Sequence, residues 1–400
     1  MSGTRAGELA FVVQRYGPEV AGGSETLARA LAERLSPGLA VTVFTTCARD
    51  YVTWRNELAA GTERCGPVTV RRFAVEEERD LASFNRYAES LYGRPHTDED
   101  ERVFLRRQGP YVPELVSALR EEQDRFQALL FFTYLYYPTC EGLRAAPARS
   151  LLVPTCHDEP PLRFRLYDEV FARPRAFAFL TAAEEALVRG RFALGARPGL
   201  VAGMGVDLDP FPDVDAFRAR HRVHGRYLAC AGRIDAGKGC AEMLAHYARF
   251  RRERGAEVEL LLMGRLALSE PLGEGVRYLG YLADEDKRAA MAGADVVLCP
   301  SPYESLSIVL LEAFALRRPA LVNGRSPVLV DHVRRAKGGL FYEDGDEFVE
   351  ALDHMLRRPE LRQAMGDSGR LYVHEHYRWD AVLERYRSLI AAASGERIND

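Results

Sequence analysis

Short apolar runs, mostly bounded by Gly, Pro or a polar cluster, alternate with helix-patterned segments along the chain, and this alternation constrains the fold most. In the first half ELAFVVQ (8–14), AVTVFTT (40–46), VTVRRFAV (68–75), ALLFFTYL (128–135), SLLVPTC (150–156) and AFAFLTA (176–182) read as strands. In the second half RYLACAG (226–232), VELLLMG (258–264), VRYLGY (276–281), ADVVLCP (294–300), RPALVN (318–323) and GGLFYE (338–343) repeat the theme. Helical segments are expected near 240–253, 284–292, 306–316 and 346–357. Near-continuous apolar strands separated by helices are the pattern of βαβ units around a parallel sheet buried on both faces. The count predicts an α/β chain of two open units joined near GMGVDLDPF (203–211). Residues 90–126, charged and without a sheet signal, are expected to form an exposed excursion of the first unit.

Composition agrees with two cores. With 400 residues, 47% of them hydrophobic and 28% charged, the chain is too long for one typical core. A net charge of −4 gives no global attraction to nucleic acid. The seven cysteines form no C-x-x-C pair, and their odd number argues against a disulfide framework. No leader and no membrane span is read, so a cytoplasmic location is expected, with the inner face of the membrane as the further place considered.

One stretch raises a chemical question. SPYESLSIVLLEAFA (301–315) places Glu304 and Glu312 around small and branched apolar residues in a segment bound for burial. ADVVLCP predicts a strand, SPYES a turn, and the helix is expected to begin near Leu306 with Ser305 as its cap. Ligands of open α/β sheets bind at the carboxyl ends of strands, where the first amides of a helix are also free. Eight residues along a helix is about 12 Å and nearly the same face, so the two acids are expected to grip separated parts of one long polar ligand.

Upstream, GRIDAGKG (232–239) is a glycine-rich loop after a strand. Lys238 stands out there, because only Lys238, Lys287 and Lys337 are lysines among 54 basic residues. A compact ammonium suits a phosphate contact. In TCHDEP, Cys156, His157 and Asp158 are neighbours on an extended segment and point to opposite faces, so they cannot converge as a hydrolase triad. The run FFTYLYYP (131–138) is read as core packing, and five acid-x-acid triplets, at 98–100, 207–209, 213–215, 284–286 and 344–346, as caps and helix starts rather than metal ligands.

Glu304-x7-Glu312 after a strand, followed by AFALRRPALV and GGLFYEDGDEFVEAL, resembles the retaining glycosyltransferases of family 4. GGSETLARALAERL (22–35), His157-Asp158 and GRIDAGKG are similar to that family's amino-terminal glycine loop, donor-sugar histidine and diphosphate motif. The resemblance implies a GT-B fold: two Rossmann-like domains facing a central cleft, 1–203 on the acceptor side and 204–377 binding the nucleotide sugar, with 378–400 returning as a helix to the first. It implies that Glu304 holds hydroxyls of the donor sugar beside the amides of Ser305, Leu306 and Ser307, and that Glu312 accepts from the ribose. Arg233 and Lys238 would bind the diphosphate, His157 would touch the sugar's outer hydroxyl, and Gly280, Tyr281 and Leu282 would flank the base. Gly22 and Gly23 would let the backbone approach the reacting end.

The implied reaction is metal-independent transfer from a nucleoside diphosphate sugar, UDP ahead of GDP or ADP, to a hydroxyl of a glycan, lipid or small metabolite, with no cofactor and no nucleic acid. A peripheral membrane contact is the further partner considered. SLS (305–307), GMGVD (203–207) and NGRSPVLVD (323–331) depart from the family pattern and leave the sugar open. Two other classes remain: a nucleotide-sugar epimerase of the same fold and a non-catalytic carbohydrate-binding protein. A dinucleotide oxidoreductase is disfavoured, because YGPEVAGGSE (16–25) lacks the Gly-x-Gly-x-x-Gly fingerprint.

Overall fold

The structure, a computed structural model, describes residues 7–20, 22–255 and 257–395. Its contacts divide the chain into two compact units, 1–203 with 383–400, and 204–382. The first is built on eight strands: β1 (Glu8–Val12), β2 (Ala40–Thr46), β3 (Gly61–Cys65), β4 (Val68–Phe73), β5 (Ala128–Phe132), β6 (Ser150–Val153), β7 (Ala176–Phe179) and β8 (Gly199–Val201). They lie in the order β3-β4-β2-β1-β5-β6-β7-β8. All pairs are parallel except β3 with β4.

The second unit has six parallel strands: β9 (Tyr227–Ala231), β10 (Glu259–Met263), β11 (Val276–Tyr278), β12 (Val296–Cys299), β13 (Ala320–Asn323) and β14 (Gly339–Tyr342). Their order is β11-β10-β9-β12-β13-β14. β5, β6, β7, β12 and β13 are buried at every position. The apolar runs therefore found the two-sided burial that a parallel sheet requires.

The sequence reading fails in two places in the first unit. β3, GTERC, is polar and mostly exposed, an antiparallel edge partner of β4, and β8 is only three half-buried residues long. Residues 90–126 are no exposed excursion: helices Asp98–Gln108 and Pro113–Glu122 lie there, and Phe104, Leu105, Leu115 and Leu119 belong to the first unit's core. Buried Glu101 accepts from the amides of Arg165 (3.0 Å) and Leu166 (2.7 Å), and the Gln108 carbonyl accepts from Trp54 Nε1 (2.8 Å). The surface charge of those helices hides an inner face. The terminal helix Trp379–Ser394 returns to the first unit as expected, from Leu383 onwards. There Arg385 donates to the Val201 and Ala202 carbonyls at 3.2 and 2.9 Å, and Tyr386 to that of Gly203 at 3.2 Å.

The acid triplets are structural. Thr97 and Asp100 form a capping box, Asp213 and Asp344 cap helices, Asp286 binds Arg220 and His221, and Asp209 pairs with Arg370. FFTYLYYP is core through Tyr134, whereas Tyr136 and Tyr137 are half-buried.

His332, on helix Pro327–Ala336, is 1% exposed, and its Nδ1 lies 3.0 Å from the Tyr372 hydroxyl. Burial holds its pKa down to about 4, against a partly opposing influence from the Leu306 backbone. A neutral histidine buried in this way adds stability that is complete above its unfolded pKa of about 6.5 and is lost as the pH falls towards the folded value. Between pH 7 and 5 the loss should be about 2 kcal/mol. Urea unfolding of the parent and of His332→Gln at both pH values tests this; equal pH dependence in the two would contradict it.

Candidate active site

In the second unit the strand order reverses between β9 and β12, and the loops leaving those two strands hold Arg233, Lys238, Glu304, Ser305, Leu306 and Ser307. This is the switch point at which open α/β sheets bind ligands. The loop after β9 runs from Gly232 to Gly239 and opens helix Cys240–Arg254. Asp235 organises it: one carboxylate oxygen accepts from the Lys238 amide at 2.8 Å, and the other lies 3.5 Å from Arg233 Nη1. Gly239 (φ 70) caps the helix, and a Cβ there would stand 2.2 Å from the Pro300 carbonyl oxygen. Only glycine lets the two loops meet so closely.

The consequence is a short bridge. Lys238 Nζ donates to Glu304 Oε1 at 2.8 Å, with the two side chains 32% and 17% exposed. Glu304 does not belong to the helix. The helix is Ile308–Ala315, two residues later than expected, and Ser305 does not cap it. Its N-cap is Ser307, with φ 67 and no side-chain cap bond. A non-glycine residue there is strained, and such strain gathers at ligand-binding loops. Because Glu304 precedes the helix, the expected two-turn spacing to Glu312 does not hold.

Glu312 lies on that helix, and its Oε1 accepts from Lys287 Nζ at 2.9 Å. Its Oε2 is buried and has no partner among the described residues. Burial pulls the Lys287 ammonium down, but the charge and hydrogen bond of Glu312, joined by Asp284 at 3.5 Å, outweigh it and leave the pKa raised. Two of the chain's three lysines therefore bind the two acids of the Glu-x7-Glu motif. The rarity that singled out Lys238 pointed to Lys287 equally and was missed, as was Asp235.

Gly280, Tyr281 and Leu282 follow β11, where the Gly280 carbonyl accepts from the Gly264 amide at 2.8 Å. Gly264 (φ 130) is forced, since a Cβ would stand 1.9 Å from the Gly232 oxygen. The ends of β9, β10 and β11 are thereby stacked, and Tyr281 is left 76% exposed.

In the first unit, Gly22 precedes helix Gly23–Leu35. A Cβ on Gly22 would meet Glu25 Oε2 at 2.1 Å, whereas one on Gly23 would meet nothing. Glu25 is fixed by Arg15 Nη2 (2.5 Å), Gln14 Nε2 (3.0 Å) and Ser24 Oγ (3.0 Å). This buried network under the glycine turn gave no signal in the sequence. His157 follows β6, half-buried, with Nδ1 3.9 Å from Glu159 Oε1, and Glu159 accepts from the Tyr134 hydroxyl at 2.8 Å.

Residues 213–372 match the family described as glycosyl transferases group 1. That segment, 160 of the 400 residues, is similar to the family. It is 31% identical over 182 residues to MMP alpha-(1->4)-mannosyltransferase of Mycolicibacterium hassiacum, covering 42% of this chain and 44% of that protein. It is 27% identical over 179 residues to alpha-D-kanosaminyltransferase of Streptomyces kanamyceticus, covering 40% and 46%. The chain thus spans less than half the length of these two relatives. Among solved structures, sucrose-phosphate synthase from Thermosynechococcus elongatus superposes with a TM-score of 0.74 at 19% identity, covering 96% of this chain and all of that one. Anabaena HepE in complex with UDP-glucose gives 0.68 at 14% identity, covering 96% and 100%. These likenesses show the fold, GT-B, with two Rossmann-like domains.

If Glu312 holds the ribose, as the resemblance implies, Lys287→Ala should weaken nucleoside diphosphate binding about tenfold, roughly 1.4 kcal/mol, because Glu312 loses the group that orients it and keeps its charge. Lys287→Arg should recover part of the loss. Calorimetry measures it, and unchanged affinity would show that Lys287 serves the fold alone.

Proposed function

We propose that the chain is a retaining glycosyltransferase that moves a sugar from a nucleoside diphosphate donor to a hydroxyl of a glycan, lipid or small metabolite. The observation that supports this most is the Lys238–Glu304 bridge at the switch point of the second sheet. One partner is suited to phosphate and the other to sugar hydroxyls, and a donor's diphosphate joins those two chemistries through a single bond.

Breaking that bond leaves negative charge on the departing diphosphate. Lys238, Arg233 and the amides at the start of helix Cys240–Arg254 meet it, preorganised by Asp235. Glu304 accepts from the transferred sugar beside the amides of Ser305, Leu306 and Ser307, and His157 donates to an outer hydroxyl. Glu312 Oε2 takes a ribose hydroxyl, the natural partner of a buried oxygen that has none among the described residues. The open ring of Tyr281 offers a face to the base. Gly23, where a side chain would meet open space, leaves its backbone accessible to the reacting end.

These groups supply the positive charge that the leaving group needs, so no divalent metal is assigned. UDP is proposed as the donor nucleotide ahead of GDP or ADP. No helix among the described residues is long and apolar enough to cross a membrane.

A panel of nucleotide sugars and acceptors, run with and without excess EDTA, tests the reading. Acceptor-dependent release of nucleoside diphosphate, unchanged by EDTA and with the anomeric configuration kept in the product by NMR, is expected. Loss of activity restored by magnesium or manganese would overturn the metal-independent mechanism. Epimerised donor, or no turnover with any donor, would overturn the transfer itself.

A further inference from the structure

The backbone that presents His157 is held in an unusual way. Thr155, two residues before it, has φ 50, and Thr133, at the end of β5, has φ 67. Both are β-branched residues in the left-handed region, where such residues are outliers. Their hydroxyls bond each other, Thr155 Oγ1 donating to Thr133 Oγ1 at 2.9 Å. Strain at two adjacent strand ends persists only where the surroundings dictate it.

Glu184 is the group behind this loop. It is 1% exposed, and its two carboxyl oxygens go to different strand ends: Oε1 accepts from the Cys156 amide at 2.7 Å and Oε2 from the Leu180 amide at 2.5 Å. Its own amide is capped by Thr181 Oγ1 at 3.1 Å, which anchors the acid in the first turn of helix Ala182–Arg191. Burial pushes the carboxyl up to about 8 even though both amides favour its charged form. For packing alone an apolar side chain of similar volume would serve without dehydrating an acid. What the acid adds is a fixed position for the Cys156 peptide, directly before His157.

We propose that Glu184 is a positioning residue: it fixes the backbone of Thr155–His157 and thereby the placement of the His157 ring. Its link to turnover rests on the sugar contact assigned to His157 above. Glu184→Gln sets an amide nitrogen against a backbone N–H and releases one strand end. Glu184→Asp retains the carboxyl, shortens the reach, and covers the case in which the amide variant does not fold.

The test is made on the full chain. The His157 ring signals, identified by their disappearance in His157→Ala, should shift in the folded Glu184 variants. Turnover should fall about tenfold while free nucleoside diphosphate binds within twofold of the parent, and adding His157→Ala should not multiply the loss. Ring signals that stay in place, or losses that multiply, would overturn the proposal. If the ring moves while His157→Ala retains full turnover, Glu184 still positions the loop and it is the sugar contact of His157 that fails.

Discussion

Lys238→Ala is expected to lower turnover of the donor by about two to three orders of magnitude, the loss typical when one preorganised group is removed from a developing anion. That corresponds to roughly 2.7–4 kcal/mol of transition-state stabilisation. The expectation follows from placement. The Lys238 amide is tied to Asp235, Gly239 presses the loop onto Pro300, and the ammonium reaches Glu304 at 2.8 Å, so its charge is held where a diphosphate would depart. Lys238→Arg should recover little, because a planar guanidinium does not reproduce a compact ammonium between a carboxylate and a phosphate. Nucleoside diphosphate affinity should fall more than nucleoside monophosphate affinity. Steady-state rates with calorimetry on the two nucleotides check both parts; turnover within threefold of the parent would remove Lys238 from the mechanism.

Both sheets were legible because strands buried on both faces must be apolar throughout, as in ALLFF and VVLC. The missed strands are those for which that reason fails: GTERC pairs at an edge and faces water, and GLV is too short to form a run. Residues 90–126 misled because their outer faces are charged, and a helix shows its buried side only at helical spacing, as Glu101, Phe104, Leu105 and Gln108 do.

Within the candidate site, Glu304, Glu312, Arg233 and Lys238 stood out in the sequence because their local pattern is compact. Glu184 did not, and Lys287 was marked only by the scarcity of lysine. Lys287 meets Glu312 from 25 positions away and Glu184 meets Cys156 from 28, and nothing in either local stretch records the partner. The start of the helix after Glu304 was misplaced for a related reason. Ser307 stands in the left-handed region, and serine has no intrinsic preference that announces it.

The claim on which the proposed mechanism depends is that Glu304 serves the transferred sugar and Glu312 the ribose. Glu304→Gln should lower turnover about 10 to 100-fold, a loss of roughly 1.5–3 kcal/mol from one charge-assisted contact. Free nucleoside diphosphate should bind that variant at least as well as the parent, since Lys238 no longer shares its charge with a carboxylate. Glu312→Gln should instead weaken the free nucleotide itself, by a factor of about 10 or more. The most direct measurement is calorimetry of nucleoside diphosphate and of nucleotide sugar on these two folded variants. The account predicts that Glu304→Gln loses affinity only for the nucleotide sugar, while Glu312→Gln loses affinity for both. Loss of free-nucleotide binding in Glu304→Gln with none in Glu312→Gln would reverse the two ends of the donor, and no change in either variant would contradict the account altogether.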